Sequence, residues 1–135
     1  MMNGQQFSKR ERIVSQKQID ELFAGVGSHS RAAFPVRVVY IINERASGQQ
    51  PAQLLLSVPK RRFRHAVDRN RVKRQLREAY RTNKQLLLPS IPSDKTVSMA
   101  FIWLSDYHLP TSAVEARVKT LLKHIAETLM PVKAE

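Results

Sequence analysis

Between residues 60 and 81 the chain reads KRRFRHAVDRNRVKRQLREAYR, and few folds can accommodate such a run. Ten of its side chains are basic (Lys60, Arg61, Arg62, Arg64, Arg69, Arg71, Lys73, Arg74, Arg77 and Arg81), against two acids, Asp68 and Glu78. On a helix, at about 100° per residue, the chemistry separates. Val72, Leu76, Ala79 and Tyr80 gather on one side, and Asn70, Lys73, Arg74, Arg77 and Arg81 on the other, with Lys84 beside them and Arg69 and Arg71 flanking. The segment must therefore lay an apolar stripe on a core and turn its cations outward. Like charges at i,i+4, here Lys73–Arg77 and Arg77–Arg81, destabilise a helix by about 0.2–0.5 kcal/mol per pair. A merely solvated face would alternate signs. An external polyanion relieves the repulsion, because its phosphates take paired bonds from guanidinium forks. Asn70 adds an uncharged donor and acceptor suited to a base edge or a sugar hydroxyl.

The rest of the chain agrees. Twenty-three Lys and Arg against eleven Asp and Glu leave a net charge of +12 and a pI near 10.8, which favours nucleic acid or an anionic membrane surface. The length, 135 residues with 42% apolar, suits one domain with one modest core. Cysteine is absent, so disulfides and thiolate metal sites are excluded. No signal-peptide core stands in residues 1–12 and no stretch approaches a membrane span, so a cytoplasmic protein with no membrane partner is expected. Residues 1–12 and 130–135 read as flexible ends of a single domain covering residues 1–135.

Periodicity supplies the elements. Residues 15–23 read as a short helix, with Ser15 as N-cap, Ile19, Leu22 and Phe23 as one stripe, and Gly25 and Gly27 ending it. Residues 34–42 read as a strand, Val36, Val38 and Tyr40 pointing one way and Arg37, Val39 and Ile41 the other. Residues 53–58 form a second strand closed by Pro59, and residues 96–104 a third, with Val97, Met99, Phe101 and Trp103 in alternation. The basic helix is expected to open near Asp68 and run to about Leu87, before Pro89 and Pro92. A last helix begins at Pro110-Thr111-Ser112 and aligns Val114, Val118, Leu121, Leu122, Ile125 and Leu129. The sum is a small α/β domain, a few strands covered by helices.

A DNA-binding basic region would have to continue into sustained heptads, and the prolines forbid that, so no DNA partner is expected. The acids Asp20, Glu21, Asp68, Glu78, Asp94 and Asp106 form no readable metal cluster, and His29, His65, His108 and His124 lack ligand spacing. No catalytic residue, no metal site and no bound cofactor is expected on this chain. A metal-dependent nuclease acting alone therefore has little to stand on, whereas a structural RNA-binding protein of the ribosome would share the charge and the fold class.

Residues 56–61 (LSVPKR), 66–74 (AVDRNRVKR) and 76–81 (LREAYR) closely resemble the signature of the bacterial ribonuclease P protein family. The start, FSKRERI from Phe7 followed by Ile19 and Phe23, fits as well, and the resemblance spans roughly residues 7–125. Pro59 and Arg64 depart from it, standing where the family usually has Ser and Gly.

The resemblance implies an α+β two-layer sandwich, a small mixed sheet packed with helices, whose basic helix makes a left-handed crossover between parallel strands. It implies an accessory subunit of an endoribonuclease. The RNA subunit binds Mg²⁺ and removes the 5′ leader of precursor tRNA, while the protein raises substrate affinity and lowers the Mg²⁺ demand. By motif position, Asn70, Lys73 and Arg77 face the leader, and Arg69, Arg71 and Arg74 lean on the RNA subunit with Lys60 and Arg61. Ile19 and Phe23 match positions lining a leader cleft between the first helix and the sheet, where an aromatic usually stands at the Ile19 position. Phe34 and Tyr40 are candidates to supply the missing ring.

Overall fold

The computed structural model describes residues 7, 9–13, 15–25 and 27–129. Its frame is a four-stranded sheet in the order β1-β2-β4-β3, built from β1 (His29–Ala33), β2 (Val36–Glu44), β3 (Ala52–Ser57) and β4 (Lys95–Trp103). β1, β2 and β4 pair antiparallel, whereas β3 runs parallel to β4. Parallel neighbours cannot be joined by a tight turn, so a crossover is required. The basic helix, α2 (Ala66–Asn83), lies within it. The two other helices are α1 (Gln16–Phe23) and α3 (Thr111–Leu129).

Strand alternation decides what each face of the sheet meets. Val36, Val38 and Tyr40 of β2, Leu54 of β3, and Val97, Met99, Phe101 and Trp103 of β4 are buried in one cluster. Val72, Leu76, Ala79 and Tyr80 of α2 and Val114, Val118, Leu121, Leu122 and Ile125 of α3 complete it. Each such aliphatic side chain taken out of water contributes about 1.5–3 kcal/mol. The opposite face carries a smaller cluster of Val39, Ala100, Ile13 and Leu22 of α1, with Ile19, Ile41, Leu55 and Ile102 half-buried around it. β4 is thus buried on both sides, and α2 and α3 share one face while α1 crosses the other.

The helix ends follow from local chemistry. Ser15 caps α1, its hydroxyl accepting from the Gln18 backbone N–H at 3.4 Å. α2 opens two residues earlier than its acidic residue suggests, with His65 as an extended N-cap that makes no side-chain bond. It stops at Asn83, and residues 84–90 continue as two short 3-10 turns before Pro92. Asn83 is buried there, its amide donating to the Ala79 carbonyl at 2.8 Å and to Glu115 of α3 at 2.9 Å.

One sequence expectation is corrected here, and two further features stand that periodicity does not announce. β1 pairs with β2 across its whole length and no periodicity announces it, since His29 to Arg31 and Ala32 are all exposed. Residues 9–12 carry local structure. Lys9–Glu11 form a 3-10 turn, Glu11 is buried against Lys84, and Arg12 bridges to Leu54 at the outer edge of β3. Lys84 does not belong to the basic face, because its side chain is 6% exposed and its ammonium bonds both Glu11 carboxylate oxygens at 2.9 and 3.1 Å. The remaining terminal residues, 1–6, 8 and 130–135, lie outside the described ones.

Candidate nucleic-acid interface

The stripes of α2 carry its cations to two different neighbours. Lys73 and Arg77, four residues apart, line a groove of about 200 Å³ with Phe7, Arg12, Ile13 and Leu54 to Leu56 of β3. Asn70, exposed, precedes them by one turn on the same side. Arg71 and Arg74 turn the other way, lining a second depression of about 290 Å³ with Gln75, Glu78 and Thr111 at the start of α3. Gln75 fixes that junction, its amide donating to the Leu109 carbonyl at 3.1 Å and to the Thr111 hydroxyl at 3.2 Å. One helix therefore divides its positive charge between two surfaces.

The register shows what lies beside the first groove. On the face that α1 crosses, Leu55, Ala100, Val39 and Ser30 form one row across the sheet, and Ser57, Ile102, Arg37 and Ala32 the next. α1 buries the centre of the first row, Val39 and Ala100, but leaves the second half-covered or exposed. At the far side, Phe23 and Leu22 line a recess of about 160 Å³ with Ser30, Arg37 and Val39. Phe23 is 50% exposed there although it shares the apolar stripe of α1 with the fully buried Leu22. An aromatic ring, an arginine and an apolar floor at one edge, and cations with an apolar floor at the other, suit a single strand whose bases stack while its phosphates stay outside.

Not every sequence-derived candidate joins this arrangement. Ile19, half-buried, and Phe23 stand on the open face. Tyr40 does not. It is 3% exposed on the opposite face, within the core under α3, with its hydroxyl 3.4 Å from the Thr128 hydroxyl and its ring against His29. The side chain of β2 that meets α1 is Val39, one residue earlier. Phe34 is 65% exposed in the β1–β2 turn, where its carbonyl accepts from Arg117 Nε of α3 at 2.8 Å. Lys60 and Arg61 are exposed in the turn after β3. Arg69 is partly committed, its Nη1 donating to the Phe63 carbonyl at 2.8 Å and the Arg64 carbonyl at 3.0 Å, which pins the approach to α2. Arg81 grips Glu78 at 2.9 Å, and that bond holds the Glu78 carboxyl below the usual carboxylate range.

Asp68 has a partner in the loop before α3: His108 Nε2 lies 3.1 Å from its carboxylate, and the His108 ring stacks on Phe63 at 4.5 Å. Arg62 and Asp106 add a 3.3 Å ion pair alongside. These contacts tie the turn carrying Lys60 and Arg61 to the N-terminal end of α2 and to the start of α3. Among the described residues, no group of three or more His, Asp or Glu is placed to hold a metal ion. No helix among them is long and apolar enough to cross a membrane.

The sequence model of the ribonuclease P family matches residues 7–126. The chain belongs to the ribonuclease P protein family. Its curated relatives include the ribonuclease P protein component of Porphyromonas gingivalis, 38% identical over 120 residues that cover 88% of this chain and 85% of the relative. Another, from Chlorobaculum tepidum, is 32% identical over 92 residues, 63% of this chain and 60% of the relative. Among solved structures, the ribonuclease P protein of Thermotoga maritima superposes with a TM-score of 0.66 at 22% identity, covering 85% of this chain and 97% of that one. A mutant Staphylococcus aureus ribonuclease P protein gives the same score at 21% identity, covering 88% and 90%. Family and fold thus agree: this is the protein component of an endoribonuclease, built as a mixed four-stranded sheet with three helices.

Against that family background, the positions missed by sequence reading are Phe7, Arg12 and Arg37. Phe7 packs edge-on against Tyr80 at 5.8 Å, and the Arg12 guanidinium sits 5.7 Å from the Phe7 ring centre. Arg12 and Arg37 both read as cations in the sequence, but only the tertiary pairing of residue 12 with β3 brings Arg12 into the groove with Lys73 and Arg77, and only the pairing of β2 with β1 and β4 sets Arg37 on the face that α1 crosses.

Proposed function

We propose that the two basic flanks of α2 serve two RNAs. The flank of Lys73 and Arg77, with Asn70, binds the single-stranded 5′ leader of precursor tRNA. Phe23 and Ile19 of α1 and the open row of the sheet take its bases. The flank of Arg71 and Arg74, with Lys60, Arg61 and the outer nitrogens of Arg69, docks on the catalytic RNA subunit. Catalysis and Mg²⁺ belong to that RNA, and the chain acts in the cytoplasm by holding substrate and scaffold in register. A single observation carries this reading: Lys73 and Arg77, four residues apart on one stripe, line a groove with an apolar floor, while Arg71 and Arg74 face another element.

Arg77→Ala tests it. In the holoenzyme reconstituted with its RNA subunit, the variant is expected to bind precursor tRNA about tenfold more weakly, the worth of one charge-assisted contact, with mature tRNA unchanged. Equal losses for the two substrates would remove the leader assignment. A protein that binds ribosomal RNA without preferring precursor over mature tRNA would point to a structural role in the ribosome.

A further inference from the structure

The groove beside Lys73 and Arg77 has a second wall that α2 does not provide. Phe7, Arg12 and Ile13 come from the segment ahead of α1, and the wall stands only while that segment lies against the outer edge of β3 and the end of α2. Its backbone is attached lightly. Arg12 makes one isolated bridge to Leu54, with the Ile13 N–H donating to the Leu54 carbonyl at 3.1 Å, and the Arg10 carbonyl accepts from the Gln53 amide at 3.1 Å. Side chains hold it further: Ile13 is buried in the cluster under α1, Arg10 donates to the Gly48 carbonyl at 3.1 Å, and the tie to the end of α2 is ionic. Lys84, just past the end of α2, reaches Glu11 with both carboxylate oxygens in hydrogen-bond range, and the two side chains are 6% and 10% exposed.

A buried ion pair is a poor choice for stability alone, since desolvation offsets most of the attraction, and well-packed apolar residues often do as well or better. Its better-attested use is to fix one arrangement among alternatives. Here the arrangement fixed is the placement of Arg12 and Phe7. Arg12 follows Glu11 directly, and Phe7 leans on Tyr80, one turn before Lys84.

We propose that Glu11 and Lys84 are positioning residues for leader binding: their ion pair clamps the segment ahead of α1 so that Arg12 and Phe7 complete the groove opposite the cations of α2. This rests on the leader reading above. In the clamped state three cations, Arg12, Lys73 and Arg77, line one groove floored by Leu54 to Leu56, which suits one phosphate and its base. In the released state Arg12 and Phe7 leave, and Lys73 and Arg77 remain over the floor of Leu54 to Leu56 and the buried Ile13. The RNA-subunit flank, Arg71 and Arg74, lies on the other side of the helix and does not depend on the clamp.

The test uses the reconstituted holoenzyme with precursor tRNA carrying a single-stranded leader and with mature tRNA. Lys84→Met leaves Glu11 buried without that ammonium and is expected to weaken precursor binding about tenfold, with mature tRNA and RNA-subunit affinity unchanged. The double variant Glu11→Met/Lys84→Met restores an apolar match and is expected to recover most of the precursor affinity, since it is the position of the segment and not the charge that matters. In the free full-length chain, the Ile13 amide should exchange faster in Lys84→Met while the central α2 amides stay protected. If Lys84→Met folds and leaves the precursor-to-mature ratio unchanged while Arg77→Ala lowers it, the clamp is wrong and the leader reading stands. If neither variant changes the ratio, the leader reading falls and the clamp with it. If Lys84→Met lowers precursor, mature and RNA-subunit binding alike and the double variant does not recover them, the pair is structural and the proposal is overturned.

Discussion

Replacing Tyr80 by Phe should stabilise the domain. Tyr80 is fully buried between the ring of Phe7 at 5.8 Å and that of Phe101 at 6.3 Å, and its hydroxyl has no hydrogen-bond partner among the described residues. A buried polar group left unsatisfied costs about 1–3 kcal/mol. The substitution removes one oxygen and leaves both ring contacts, so a net gain of about 1 kcal/mol at neutral pH is expected. With an unfolding entropy of about 2.1 cal/mol/K per residue, that gain raises Tm by about 3–4 °C for this length. The same burial, helped by the charge of Glu11, pushes the Tyr80 phenol above its ordinary 10.0. A folded pKa raised above the unfolded value means stability fully present below the unfolded pKa and lost as pH climbs toward the folded one. Above pH 10 the unfolded chain releases this proton while the folded chain keeps it, so the wild type loses about 1.4 kcal/mol per pH unit that the variant does not lose. Urea unfolding followed by circular dichroism at neutral pH and near pH 11 reads both effects. Destabilisation of Tyr80→Phe by 1 kcal/mol or more at neutral pH, or parallel alkaline losses in the two proteins, would refute the burial of an unpartnered phenol.

Two further outcomes check the interface. Holoenzyme assembly should weaken by about three decades for a tenfold rise in salt if Lys60, Arg61, Arg71 and Arg74 each neutralise a phosphate, at about 0.7–0.9 log units per contact; a flat response in a filter-binding titration would contradict phosphate-led docking. Phe23→Ala should reduce precursor affinity by about 1–3 kcal/mol, the worth of one stacked base, whereas Tyr40→Phe should leave it unchanged; the reverse order in the same assay would place the leader on the wrong face of the sheet.

Most of the frame was legible because its signals are local. The stripe of Val72, Leu76, Ala79 and Tyr80, the alternation from Val97 to Trp103, and the Ser15 cap all lie within windows of a few residues, and the structure buries or bonds them as read. The hidden features are set by distant partners. β1 has no apolar alternation, since it is a short edge strand with exposed side chains held by pairing to β2. Lys84 projects onto the basic face only if the helix runs past Asn83, where it in fact stops, and its partner Glu11 stands 73 residues away. Alternation groups Tyr40 with Val36 and Val38, as the structure does, yet it does not say which face a helix will cover: α3 covers that face and α1 covers Val39. The helical projection puts Lys73, Arg74 and Arg77 in one sector, so the parting of Arg74 from the other two follows from the resemblance alone; in the structure Arg74 lines the depression beside Thr111, while Lys73 and Arg77 line the groove beside β3.

The most direct measurement is cleavage of precursor tRNA at its mature 5′ end by the cognate RNA subunit at low Mg²⁺, with and without this chain. Strong stimulation that requires the RNA subunit, and that Arg77→Ala diminishes for long-leader substrates, is the expected result. A folded protein that binds the RNA yet gives no stimulation, or one that cuts without the RNA subunit, would contradict a role in holding leader and scaffold.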